Sequence, residues 1–205
     1  MKQAAAGFCV HSGWSAVVTV SLVKGSPAVL HRERVHLVAE FTYRFRQPYH
    51  TAKKMVPADA GKFIAEVRTA AGNLALRAIR ALQAQLEPRG YNLSRGALLL
   101  ASGKPLPELE KILASHALIH TADGELFRDA LAEASGRHGI HLFRVREKEL
   151  LKQAAQRLGT TEAVLLRQAK EWGRPFGSPW SRDEKFATLA AWLALVSNEK
   201  GAQSL

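Results

Sequence analysis

The stretch Gly7-Phe8-Cys9-Val10-His11-Ser12-Gly13-Trp14-Ser15-Ala16-Val17-Val18-Thr19-Val20 decides the fold of this chain. An apolar run ends at a bend of small and polar residues, His11-Ser12-Gly13, and Val and aromatic residues carry the pattern on to residue 23. Such side chains suit a buried pleated surface. Lys24-Gly25-Ser26-Pro27 is turn chemistry, so a second strand is expected to begin near Ala28 and a third by Phe45, forming a meander.

The period then changes. From Ala58 to Glu87 the residues Ile64, Val67, Ala71, Leu74, Ala78, Leu82 and Leu86 recur at steps of three and four, which places them on one helical face. Pro88-Arg89-Gly90 ends that helix. Gly96-Ala97-Leu98-Leu99-Leu100-Ala101-Ser102, an apolar run between turn signals, predicts a strand buried on both faces. A helical region from Pro107 to about Arg137 is expected to break near Thr121 to Gly124, with Thr121 or Asp123 as cap, and Ile140 to Val145 reads as a fifth strand. Helices follow from Glu147, interrupted at Gly159 to Glu162 and Gly173 to Pro179. The last begins near Ser181 and packs Phe186, Leu189, Leu193 and Val196. The order is βββαβαβα, read as one domain over residues 1–197 with a disordered tail over 198–205.

Composition bounds the function. The 29 Lys and Arg against 18 Asp and Glu leave a net charge of +11, which favours polyanions, nucleic acid among them, through counterion release and long-range attraction. The single cysteine, Cys9, excludes an internal disulfide and suits a reducing compartment. The start has no complete signal-peptide form, and no apolar run reaches the roughly 18 residues of a membrane span. The expectation is a cytoplasmic protein that does not engage a membrane; oligomeric state is left open. No serine elbow, phosphate loop or dinucleotide fingerprint occurs, which lowers acyl transfer and nucleotide hydrolysis in rank.

The element order resembles that of the ribonuclease H-like superfamily, and three strings are similar to its Holliday-junction resolvase branch. Val10-His11-Ser12-Gly13 stands where that branch has an apolar residue, Asp, a small residue and Gly. Gly124 to Ala134, followed by Gly139-Ile140-His141-Leu142-Phe143, resembles its central helix and following strand. Arg182-Asp183-Glu184-Lys185-Phe186 to Leu195 resembles its final helix, which carries acidic metal ligands before an Ala/Leu run. The resemblance implies an α/β fold, a mixed five-stranded sheet with helices on both faces, and a catalytic site at His11, Asp183 and Glu184. It also implies a divalent metal as cofactor. The chain departs from the pattern at two places, His11 for the first acidic ligand and a fourth strand that offers no carboxylate. Paired Mg²⁺ needs clustered carboxylate oxygens, and imidazole suits transition metals better. His11 also reads as a strand residue satisfied by backbone hydrogen bonds.

Two further constellations carry chemistry. His116 and His120 share a face at i and i+4, the spacing of zinc-binding helices, with Asp123 as an oxygen ligand; a capped helix junction explains the same residues. Arg44, Arg46, Tyr49, His50, Lys53 and Lys54 interleave rings with cations, which suits single-stranded nucleic acid, and an amphipathic strand end with a Pro turn explains them equally. The leading expectation is a nucleic-acid-interacting protein with a degenerate, inactive nuclease centre. A metal-dependent nuclease with an altered ligand set and a protein-assembly module without nucleic acid remain open.

Overall fold

In the computed structural model, which describes residues 1–101 and 105–197, strand β1 (Lys2–His11) is the spine. It pairs antiparallel with β2 (Trp14–Val23) on one side and parallel with β4 (Tyr91–Leu100) on the other. Strand β3 (Ser26–His36) pairs antiparallel with β2, and β5 (His141–Arg146) runs parallel to β4. Among the described residues the sheet has five strands in the order β3-β2-β1-β4-β5.

Side chains alternate across β1, and this divides the core in two. Ala4, Ala6, Phe8 and Val10 face α3 (Pro57–Leu86) and α5 (His116–Arg137). Ala5 and Cys9 face α8 (Arg182–Val196). Residues 186–194 of α8 are all buried, and Ala187, Ala190, Ala191 and Ala194 among them let the helix lie close to the sheet. The other helices are α1 (Tyr43–Arg46), α2 (Pro48–Ala52), α4 (Leu109–Ala114), α6 (Leu150–Arg157) and α7 (Glu162–Trp172). Among the described residues no helix is long and apolar enough to cross a membrane.

Helix α8 begins with a capping box: Ser181 Oγ accepts from the Glu184 N–H, and Glu184 Oε2 accepts from the Ser181 N–H at 2.5 Å. The box satisfies two end donors and sets the direction in which Asp183 leaves the helix. Ser181→Ala is expected to lower stability by about 1 kcal/mol. The shift of the urea midpoint measures it.

The structure corrects several expectations. Residues 8–23 span parts of two strands, because Gly13 adopts φ +85° and turns the chain directly after His11. The segment around Phe45 is helical rather than a third strand; Pro48 starts α2 with its fixed φ and missing N–H, and Tyr49 and Ala52 bury one helical face. The break in the second helical region falls at Ser115, whose hydroxyl caps Leu118 N–H, while residues 121–124 stay helical. Asp123 is drawn to a neighbouring helix instead of capping its own. Val196 is exposed, past the buried run of α8. Ser102 and the tail from residue 198 lie outside the described residues.

Candidate functional site

The chain leaves β1 toward β2 and leaves β4 toward β5, so the sheet has a topological switch point between β1 and β4. Open α/β sheets bind ligands outside the carboxyl ends of strands at such a point. His11 ends β1 there, and the pleat turns it to the same face as Cys9, toward α8. Its Nε2 lies 2.9 Å from Asp183 Oδ2 and 3.9 Å from Cys9 Sγ. The predicted pair His11 and Asp183 therefore meets.

Glu184 does not join them. Its carboxylate closes the capping box and faces Arg32 Nη1 at 3.4 Å. Arg32 also donates to the carbonyls of Phe176, at 2.9 Å, and Pro179, which ties β3 to the loop before α8. Glu147, just past β5, pairs with Arg182 at 2.8 Å. At the end of β4, where a carboxylate is wanted, an arginine arrives from α5. Arg128 donates through Nε to Leu99 O at 3.1 Å, through Nη2 to Val10 O at 3.4 Å, and through Nη1 to Glu125 at 3.2 Å.

This set does not fit paired magnesium ions. Asp183, Glu184, Glu147 and Glu125 each face a basic side chain, and Arg128 brings a fixed positive charge to the strand ends. The third potential donor, the Cys9 thiol, is pushed far above its ordinary pKa by burial first and then by the charges of Asp183 and Glu147. A protonated thiol is a poor metal ligand. Burial also raises the Glu125 carboxyl, with Arg128 pulling it back down.

Beside His11 stands a layered array that the sequence reading missed. The Trp14 ring stacks on His11 with centroids 4.4 Å apart. Arg34 Cζ lies 3.7 Å from the Trp14 centroid and 5.4 Å from that of Phe41, and Arg46 Cζ lies 4.4 Å from Phe41. An open cleft bordered by Trp14, Arg32, Arg34, Asp183 and Glu184 runs alongside. The signal for it was the pairing of His11 with Trp14 across the bend and of Trp14 with His36 across β2 and β3.

The segment read as nucleic-acid-binding divides. Arg44, Lys53 and Lys54 are exposed, and Arg46 folds back toward Ser12 O at 3.4 Å. Tyr49 is 3% exposed, its ring in the core and its hydroxyl accepting from Arg68. His50 turns to the second polar cluster: its Nδ1 lies 2.5 Å from Asp123 Oδ2, and its ring centroid lies 4.5 Å from that of His120 and 5.5 Å from that of His116. His116 and His120 approach with Nε2 atoms 3.0 Å apart. Asp123 is buried, and its second oxygen accepts from the Tyr49 N–H at 2.7 Å. Burial raises its carboxyl, while those hydrogen bonds oppose the shift.

The mixed sheet, its order and the helices on both faces define a ribonuclease H-like fold of the resolvase type. The chain is similar over nearly its full length to Thermus thermophilus RuvC. It matches RuvC in complex with Holliday junction substrate at 13% identity and TM-score 0.52, over 95% of this chain and 93% of that one. A further Thermus thermophilus RuvC structure matches at 12% identity and TM-score 0.51, over 94% and 93%. No family model and no curated protein matches the chain. At these identities the likeness shows the fold.

Proposed function

We propose that the chain is a nucleic-acid-interacting protein on a resolvase-type scaffold whose nuclease centre has lost magnesium-dependent cleavage. The carboxyl ends of β1 and β4 carry the reading, since they offer no carboxylate and instead take the Arg128 guanidinium on the carbonyls of Val10 and Leu99, whereas the chemistry would need clustered carboxylates. The net charge of +11 supports a polyanionic partner, and the alternation of Trp14, Arg34, Phe41 and Arg46 suits bases and phosphates together. The RuvC likeness, with its Holliday junction substrate, makes a four-way DNA junction the natural probe beside single-stranded DNA. A free, buried Cys9 agrees with a cytoplasmic location.

Filter retention of labelled DNA across a salt series tests binding, and the affinity is expected to fall steeply with salt. His11 and Arg34 already cover the Trp14 ring, so Trp14→Ala acts by releasing Arg34 from its place and is expected to weaken binding by about 0.5–1 kcal/mol, the usual worth of an exposed cation–π contact. Absence of retention at low salt sinks the reading and leaves the protein-assembly module. A second reading, a nuclease with an altered ligand set, rests on His11 Nε2 and Asp183 Oδ2 meeting at 2.9 Å at the carboxyl end of β1. Cleavage with Mg²⁺ or Mn²⁺ that disappears in Asp183→Ala selects that reading over the first.

A further inference from the structure

Away from the strand ends, three histidines from two helices converge on one point. His50 comes from α2, and His116 and His120 from successive turns of α5; one ring nitrogen of each lies within 4.8 Å of the other two. We infer that His50, His116 and His120 bind a zinc-class divalent ion, with Asp123 as the carboxylate that orients His50.

The tautomer carries the argument. Both Asp123 oxygens are occupied, one by the Tyr49 N–H and one by His50 Nδ1, so the carboxylate is a hydrogen-bond acceptor behind the ring and not a ligand. With the proton on Nδ1, the lone pair of a neutral His50 lies on Nε2. A carboxylate that holds the far nitrogen of an imidazole is the usual support of a metal-binding histidine, because it sets the ring's direction and raises its basicity. The backbone contact to Tyr49, whose side chain is buried, fixes α2 against α5. The pre-set ring thus faces the other two.

His116 and His120 present Nε2 atoms 3.0 Å apart. Lone pairs this close repel unless a proton or a cation lies between them, and one shared proton leaves the third ring unserved. Two nitrogens on one tetrahedral zinc stand about 3.3 Å apart, given Zn–N bonds near 2.05 Å, so small side-chain rotations suffice. Three imidazoles with no carboxylate ligand among them exclude Mg²⁺ and Ca²⁺, which take oxygen ligands, and favour Zn²⁺ and its transition-metal neighbours. His116 and His120 are exposed, which leaves a fourth position for water or an exogenous ligand.

The sequence alone pointed to His116, His120 and Asp123. The structure exchanges the third ligand, bringing in His50 from 73 residues before Asp123 and moving Asp123 behind it.

The test is calorimetric titration of the full, chelator-treated chain with ZnCl₂, with Co²⁺ absorption as a second readout. One equivalent of Zn²⁺ is expected, with visible Co²⁺ bands of low-coordinate geometry. His50→Ala, His116→Ala and His120→Ala are each expected to weaken binding at least about 100-fold, and Asp123→Asn by about 10–100-fold. His116 and His120 are exposed, so their variants keep the fold, which far-UV circular dichroism checks. His11→Ala is expected to leave the titration unchanged. The inference is overturned by any of three outcomes: no uptake by the parent chain, undiminished uptake by His120→Ala or His50→Ala, or loss of uptake in His11→Ala.

Discussion

Gly7→Ala is expected to destabilise the protein by about 3 kcal/mol or more, at or beyond the top of the range for overpacked cores. A Cβ on Gly7 would stand 1.9 Å from the carbonyl oxygen of Ala187, 2.6 Å from its carbonyl carbon and 3.0 Å from its Cα. These are backbone atoms of α8, so no side chain can swing aside. Relief requires α8 to lift from β1, which opens the core around Cys9, Ala190 and Ala191 and draws Asp183 away from His11. Gly72→Ala in α3 is the matched control: nothing lies within 4 Å of its Cβ, and the change is expected to stabilise by about 0.5–1 kcal/mol by removing backbone freedom from the unfolded chain. Urea midpoints of the two variants should move in opposite directions. Equal midpoints would refute the close approach of helix and strand.

Arg128→Met is the second large effect, an expected loss of about 2–4 kcal/mol at neutral pH. The Arg128 side chain is 12% exposed and that of Glu125 15% exposed, so little solvent is available to replace the pair. Methionine keeps much of the stem while removing the donors to Leu99 O and Val10 O and leaving Glu125 with an unpaired charge. The pH dependence has a definite sign. Burial already raises the Glu125 carboxyl above its unfolded value, and loss of Arg128 removes the main opposing charge. The native variant therefore binds its proton more tightly than the unfolded chain does, and its stability rises as the pH falls through the carboxylate range. The deficit relative to the parent should shrink between pH 7 and pH 4. A pH-independent deficit would assign the loss to packing, and no deficit would show that Arg128 is idle. On the proposed reading the variant also gains no Mg²⁺-dependent cleavage, since one removed cation supplies no carboxylate.

These two positions were not equally legible. Gly7 sits in the apolar run that announced β1, but nothing local showed that α8 would need its missing side chain. Arg128 lies in the stretch that resembles the resolvase central helix, and nothing local marks its backbone partners, which lie 29 and 118 residues away. The third strand was misplaced for a local reason. Tyr43 to His50 alternates rings and polar groups as a strand does, while the deciding signals were Pro48 at a helix start and the Tyr49–Ala52 spacing.

The amino-acid order by itself determined the helices α3 and α8, the strands β4 and β5, the bend after His11 and the shared face of His116 and His120. Each of these depends on residues within a few positions of one another, where periodicity, turn chemistry and capping act. Tertiary structure alone decided that Asp183 crosses 172 residues to reach His11, that Glu184 turns to Arg32, that Arg128 fills the strand ends and that His50 completes the histidine cluster. Those contacts depend on how two helical layers close on one sheet, and burial and docking angle leave no local mark on the sequence.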